Sequence, residues 1–318
     1  MLRLAALFVA IALAAPAAAQ DKALKIVLGF PAGATSDLLS RLVADHMRQS
    51  LGQPVIVENK PGAGGQIANE TVKGAAPDGT TMLMTPVATM SIFPHSYAGQ
   101  LRYDPFKDFE PLAHLSDFQL SLGVTAKVPA NTLAEYVALV KKDSKTYGFY
   151  ASAAPGSIPH FLGVMFARAA GIELTHVPYK GTAAVLQALA AGEIVAATTL
   201  AADIGTLVKG GKARLLAVSG AKRDAAFPDV PTFKESGYDM VGTGWYGLFV
   251  PAGTPKAASE RLSKAAIAAV KDAAVNKRMV DIGLEPTGHG PAELARIMKA
   301  DYDKWGPVIR ASGFKPSQ

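Results

Sequence analysis

The feature that most limits the fold is a unit that returns along the chain: a short apolar run, a turn of small residues, then an amphipathic helix. Residues 25–29 (KIVLG) read as a strand and Phe30-Pro31-Ala32-Gly33 as a turn. Residues 37–50 then carry Leu38, Leu39, Leu42, Val43 and Met47 at helical spacing. The same order gives strand 54–58, loop 61–65, helix 67–73 and strand 80–85. Strand 120–125 follows, then a helix ending at Lys142 whose start carries the capping pair Thr132 and Glu135. Strand 148–152, helix 157–170, strand 175–178, helix 183–191 and strands 194–199 and 214–219 complete the middle. Parallel strands need long crossovers and helices supply them, so such a repeat builds helix-covered, mostly parallel sheets. The last third changes character, with strand 245–250 and helices 255–272 and 291–304. At 318 residues and 49% hydrophobic, the chain has material for about two domains. No flexible linker separates them, which favours two lobes with more than one chain crossing.

Residues 1–20 (MLRLAALFVAIALAAPAAAQ) have the form of a secretory signal peptide. Arg3 is the basic start, residues 4–13 the apolar core, and Ala17-Ala18-Ala19 the small-residue site, with cleavage expected after Ala19. A membrane span needs about 18 or more apolar residues, and this core is shorter and ends in Ala and Pro. No Cys follows, so a lipid anchor is not expected. The expected product is exported, to the periplasm where a cell has two membranes, and works without cytosolic ATP or NADH. Loss of Arg3 lowers the formal charge from +6 to +5. The 32 basic residues face 26 acidic ones and are dispersed, with Lys141-Lys142 among the few pairs, so no nucleic-acid footprint is visible. The excess suits solubility and weak steering of a small anion.

Catalytic and cofactor signatures fail in turn. Without Cys there is no thiolate metal site, iron–sulfur cluster or cysteine nucleophile. The six His are scattered without metal-ligand spacing, so no metal is expected. Gly205 to Lys212 fails as a phosphate loop because Ala213 stands where a Ser or Thr is required. Gly62-Ala63-Gly64 lacks the third glycine of a dinucleotide fingerprint, and Gly156-Ser157-Ile158-Pro159 lacks the second glycine of a nucleophile elbow. No cofactor is expected.

What remains are three small-residue loops, each after a strand and opening a helix: residues 30–37, 150–157 and 179–183. Taken singly, each reads as an ordinary turn. Taken together they offer helix N-termini, with unpaired N–H donors and partial positive charge, to a carboxylate that small residues allow to approach. Three such loops on one cleft would hold a dicarboxylate without a salt bridge.

These residues resemble the Bug-type solute-binding receptors of bacterial tripartite tricarboxylate transporters over nearly the whole chain. The resemblance is carried by Phe30-Pro31-Ala32-Gly33 through Asp37, Leu51-Gly52-Gln53-Pro54 through Gly64-Gly65, and Ala76-Pro77-Asp78-Gly79-Thr80. Further blocks are Pro178-Tyr179-Lys180-Gly181, Gly211-Lys212-Ala213-Arg214, Pro231-Thr232-Phe233 and Gly247-Leu248-Phe249-Val250-Pro251. The resemblance implies an α/β, two-lobed periplasmic-binding-protein fold of type II, hinged between lobes. The expected lobes are 22–121 plus 222–318, and 122–221. It implies a monomeric receptor, not an enzyme, that presents a small carboxylate to membrane permease subunits. Its carboxylates would be held by Phe30, Ala32, Gly33, Ala34 and Thr35 from one lobe. Ser152, Ser157, Tyr179, Gly181, Thr182 and Ala183 would face them from the other, with Thr85, Thr199 and Asp203 as further ligand residues. Asp37 is expected to cap and orient the helix start, His160 to be a buried hydrogen-bonded residue, and Trp245 and Tyr246 to be packing.

Departures from the family pattern bear on the ligand. Ala32 and Ala34 replace one Pro and one Gly, and Val195 and Thr199 stand where Asp is common. Asp203 stands where a small residue is common. Thr199 in place of an acid predicts a less negative pocket, suited to an acid without an amino group. Two alternatives remain: an exported hydrolase or lyase using Ser157 with His160 or Asp203, and a sensor that docks on a signalling receptor.

Overall fold

The computed structural model describes residues 22–316. The segment read as a signal peptide lies outside them. Strand β1 (Leu24–Leu28) leads to helix α1 (Thr35–Leu51), which ends on a left-handed Gly52. Strand β2 (Val55–Asn59), helix α2 (Gln66–Lys73) and strand β3 (Thr81–Pro86) follow. A wide helical turn, Ala88–Ile92, runs into helix α3 (Phe93–Ser96), and strand β4 (Phe109–Phe118) comes next. Then come β5 (Leu120–Thr125), α4 (Leu133–Lys142), α5 (Ser144–Tyr147), β6 (Phe149–Ser152), α6 (Ile158–Ala170), β7 (Thr175–Pro178) and α7 (Thr182–Ala191). Strand β8 (Ala196–Leu200), helix α8 (Ala201–Lys209) and strand β9 (Ala213–Val218) close the middle section. The last third holds β10 (Gly244–Pro251), α9 (Lys256–Lys271), α10 (Ala273–Asp281), β11 (Glu285–His289) and α11 (Pro291–Ser312).

Two helix-flanked sheets result. The first has the order β11-β4-β10-β3-β1-β2 and the second β7-β6-β8-β5-β9. The α/β architecture is as expected, but each sheet is mixed rather than mostly parallel. Strands β1, β2 and β3 run parallel, as do β6, β7 and β8, whereas β10, β11 and β5 pair antiparallel with their neighbours. The reason is the connectivity: the chain passes directly from β4 into β5 and returns after β9 into β10, and those links need no helical crossover.

Strand direction fixes how the sheets meet. The chain leaves the first sheet at the C-terminal end of β4 and enters the second at the N-terminal end of β5, with Gln119 alone between them. It returns from the C-terminal end of β9 to the N-terminal end of β10. The register places the C-terminal ends of β1–β3 on the edge that holds the end of β4, and those of β6–β8 on the edge that holds the end of β9. The loops after all six strands therefore emerge on the two edges that face each other, the position where open α/β sheets bind ligands. The crossings are tied together: Gly220 N–H donates to Gln119 Oε1 (2.9 Å), and the Ser219 hydroxyl donates to the Gly242 carbonyl (2.8 Å) while accepting from Leu120 N–H.

The apolar core runs beneath both sheets, with Trp245, Trp305, Tyr136 and Tyr150 among its largest fully buried side chains. Helix α11 and the segment after it reach across: Trp305 and, beyond the helix, Phe314 pack against Phe161 of α6. Among the described residues no helix is long and apolar enough to cross a membrane.

Candidate functional site

The first loop is shaped by Asp37. This carboxylate, 2% exposed in the first turn of α1, accepts from Gly33 N–H (2.9 Å), from Arg41 Nε and Nη2 (3.0 Å each) and from Asn59 Nδ2 (2.9 Å). Asn59 Nδ2 also donates to the Phe30 carbonyl. Burial alone would raise the Asp37 carboxyl, but the bonds from Arg41, Gly33 and Asn59 hold it below the ordinary carboxylate range. Asp37 thus orients the helix start as expected, although the capping position itself is Ala34, which has no side-chain cap. Gly33 has φ +83°, a left-handed conformation, and no atom lies within 4 Å of where its side chain would begin. Its N–H is taken by Asp37, so Gly33 supplies the shape of the loop, while Thr35 and Ser36 at the helix entrance find no backbone acceptor among the described residues. Pro31 and Ala32 are exposed, and Phe30, Ala34 and Thr35 half-buried.

On the facing edge, the loop after β6 is held from both sheets. Tyr97 O–H donates to the Pro155 carbonyl (3.0 Å) and Ser96 Oγ to the Gly156 carbonyl (3.1 Å), both from the segment after β3. Gly156 has φ +72°, and a side chain there would meet the Phe314 and Tyr97 rings at about 3 Å. Ser157 Oγ–H donates to the Ala154 carbonyl (2.6 Å), and Gly156 N–H donates to His160 Nδ1 (3.0 Å). Ser152 is fully buried with its Oγ 2.8 Å from His176 Nε2, and the His176 and His160 rings stack at 4.1 Å. Burial pushes His160 down to about 4, and burial with the neighbouring His160 pushes His176 down to about 3, so both rings are neutral near pH 7. His160 is the buried hydrogen-bonded residue expected. Among the described residues it shares no hydrogen bond with Ser157, whose hydroxyl is spent on the Ala154 carbonyl.

The third loop joins the second. Tyr179 N–H donates to the Ser152 carbonyl and Gly181 N–H to the Ala153 carbonyl, which aligns the entrance of α7 beside that of α6. Thr182 and Ala184 are half-buried and Ala183 exposed at that entrance.

Between these loops lies a group the sequence did not assemble. Thr199, 1% exposed at the end of β8, donates its hydroxyl to Asp203 Oδ2 (3.2 Å) in the first turn of α8. The Tyr246 phenol at the start of β10 lies near Asp203 and near the Ser36 side chain of α1. Burial, relieved only in part by Thr199, raises the Asp203 carboxyl to about 6, and Asp203 keeps a partly exposed edge. Thr199 carries no acid, and the carboxyl of this site stands one helical turn on, at Asp203. Tyr246, expected as packing alone, is buried and also walls this junction. Thr85 stands apart: it is 2% exposed and bound within a buried set to Asn69 Oδ1 (3.3 Å) and Thr89 Oγ1 (2.6 Å). Ser36, His176 and Tyr246 were not foreseen; the only signal was proximity to the loops. Two surface cavities of about 360 and 430 Å³ lie elsewhere, one beside Tyr103, Phe106 and Tyr302 and the other beside Arg168, Met240 and Val308.

A family model described as tripartite tricarboxylate transporter family receptor matches residues 39–314. The chain belongs to that family. Solved structures of similar chains agree with this membership. An R. palustris protein solved with adipate is 28% identical with a TM-score of 0.87, the match covering 93% of this chain and 99% of that one. The periplasmic binding protein BugD is 31% identical with a TM-score of 0.84, covering 93% and 99%. MatC from Rhodopseudomonas palustris, solved with bound malate, is 30% identical with a TM-score of 0.81, covering 90% and 98%. The tripartite tricarboxylate transporter receptors are a family of solute-binding receptors, not of enzymes, and the two-sheet architecture of this member is the fold of those periplasmic binding proteins.

Proposed function

We propose that this protein is an exported, periplasmic solute-binding receptor that closes on a small carboxylic acid and presents it to the permease of a tripartite tricarboxylate-type transporter. It acts as a monomer and does no chemistry on its ligand. Its lobes are residues 22–121 with 222–318, and residues 122–221, and the tied crossings at Gln119 and Ser219 are the hinge. The observation that carries this reading is the meeting of two strand-end edges lined by the N-termini of α1, α6, α7 and α8. Phe30, Ala32, Ala34 and Thr35, shaped by Gly33, face the ligand from one side; Ser157, Tyr179, Gly181, Thr182, Ala183, Thr199 and Asp203 face it from the other. Ser152 and Thr85, both buried, support the loop and strand end they belong to. N–H donors and helix-end charge suit a carboxylate at each entrance. The adipate and malate held by two similar chains support the ligand class.

Thr182 offers a clean test. It is the first residue of α7, where proline is tolerated and removes the N–H together with the threonine hydroxyl. A thermal-shift screen of mono-, di- and tricarboxylates should find a ligand whose presence at 100 times its Kd adds about 2.7 kcal/mol. Thr182→Pro, with native circular dichroism, should lose most of that shift. Stabilisation by none of these acids, or an undiminished shift in the folded variant, would overturn the reading.

A further inference from the structure

Two carboxyls stand in the first turns of helices that open on the gap, and their surroundings differ sharply. Asp37 is saturated by Gly33, Arg41 and Asn59. Asp203 receives one neutral hydroxyl, from Thr199 at 3.2 Å. The titratable group facing it is the Tyr246 phenol from β10, and the polar groups beside that phenol and on β8, Ser36 and Thr199, do not titrate near neutrality. Helix α8 packs on β5, β8, β9 and α7, and no cation or second carboxylate from these elements acts on Asp203. No Lys or Arg forms an ion pair with it among the described residues. A ligand carboxylate drawn to this helix entrance would stand against the Asp203 carboxyl. Two carboxylates in contact in a poorly solvated site cannot both stay ionised, and one proton is held between them.

Resting on the receptor reading above, we propose that Asp203 takes part in capture as a protonated acid. Its O–H donates to a carboxylate of the ligand, while the Thr199 hydroxyl holds its other oxygen. The balance is simple: an ionised Asp203, a ligand dianion and one proton from solution give one complex in which the proton lies between the two carboxyls. Asp203 is thereby a ligand-binding residue for one carboxylate of the acid, and capture consumes a proton near neutral pH. The free carboxyl, raised by burial to about 6, is already part-way to that state. Affinity for a dianion should then strengthen as pH falls from 8 to 6, by up to about tenfold per pH unit.

Isothermal titration calorimetry of the mature chain with adipate and with malate, at pH 7 in two buffers of different ionisation heat, tests this. The wild type should take up close to one proton per ligand. Asp203→Asn, whose amide is a permanent donor, should take up none and bind with an affinity that does not change between pH 6 and 8. Thermal unfolding checks that the variant is folded. Binding without proton uptake in the wild type, or equal uptake in Asp203→Asn, overturns the proposal. If uptake is absent but Thr182→Pro still abolishes binding, the receptor reading stands and this inference alone falls. If neither diacid binds the wild type, this inference falls, and the receptor reading falls with it only if the wider screen of mono-, di- and tricarboxylates also finds no stabilising acid.

Discussion

Replacing Asp37 with Ala should unpin the first loop and destabilise the fold together. The carboxylate is buried and collects four hydrogen bonds, two of them from a guanidinium. Arg41 is half-exposed, so its loss of partner is cushioned by water and contributes about 0–1 kcal/mol, as for an exposed ion pair. The Gly33 N–H and the Asn59 amide are less well placed, and leaving partly buried donors unpaired costs about 1–3 kcal/mol each. The expected loss is about 3–4 kcal/mol in urea denaturation, with a weaker response to carboxylates because the α1 entrance loses its shape. The pH dependence supplies a second readout. The folded carboxyl titrates below its unfolded value of 3.8, so its stabilisation is present above pH 3.8 and is lost as pH falls through the lower folded value. Asp37→Ala should therefore erode least at low pH relative to the wild type. A loss below about 1 kcal/mol with unchanged ligand response would refute the role given to this hub.

Two further outcomes follow from packing and charge. Gly29→Ala should cost about 1–3 kcal/mol by overpacking, because its Cβ would stand 2.5 Å from the Gly65 Cα, a backbone atom that cannot swing aside; native stability by calorimetry would contradict this close approach. Buried, neutral His160 and His176 bind protons less readily when folded than when unfolded, so stability should fall as pH drops below 6.5. His176→Asn should remove about 2 kcal/mol of the loss between pH 7 and 5, and an unchanged pH profile would show that the ring is not buried as a neutral base.

Much of the fold was legible because periodicity and turn residues agreed. Thr132 caps α4 as read, its hydroxyl accepting from Glu135 N–H at 3.1 Å. Glu135 departs from a closed capping box in reaching the N–H of Asn131 instead. Strand β4 escaped detection because Glu110, Pro111, His114, Ser116 and Asp117 break any alternation; it lies between β10 and β11, so polar and apolar positions do not sort onto two faces. Helix α8 was hidden by Gly205, which is tolerated because the Phe227 ring fills the space beside it. Helix α10 has Asp272 as its cap, accepting from Ala274 and Val275 N–H, and that signal was in the chain but followed another helix without a break. Helix α11 continues past residue 304 through Pro307 because tertiary packing of Trp305 and Ile309 outweighs the lost hydrogen bond. At the site, the three loops were visible as small-residue turns. The Asp203–Tyr246–Ser36 junction was not, because its members come from three elements separated by 167 and 43 positions in the chain, and only the pairing of strands brings them together.

Backbone-amide NMR of the ¹⁵N-labelled protein during titration with a carboxylate that stabilises it probes the role of the helix entrances at the atoms concerned. The N–H resonances of Thr35, Ser36, Thr182 and Ala183 should move downfield together and gain protection from exchange, since each would pass from water to an anionic oxygen. A ligand that binds while those four resonances stay in place, with the changes gathered elsewhere, would show that the helix entrances do not hold it.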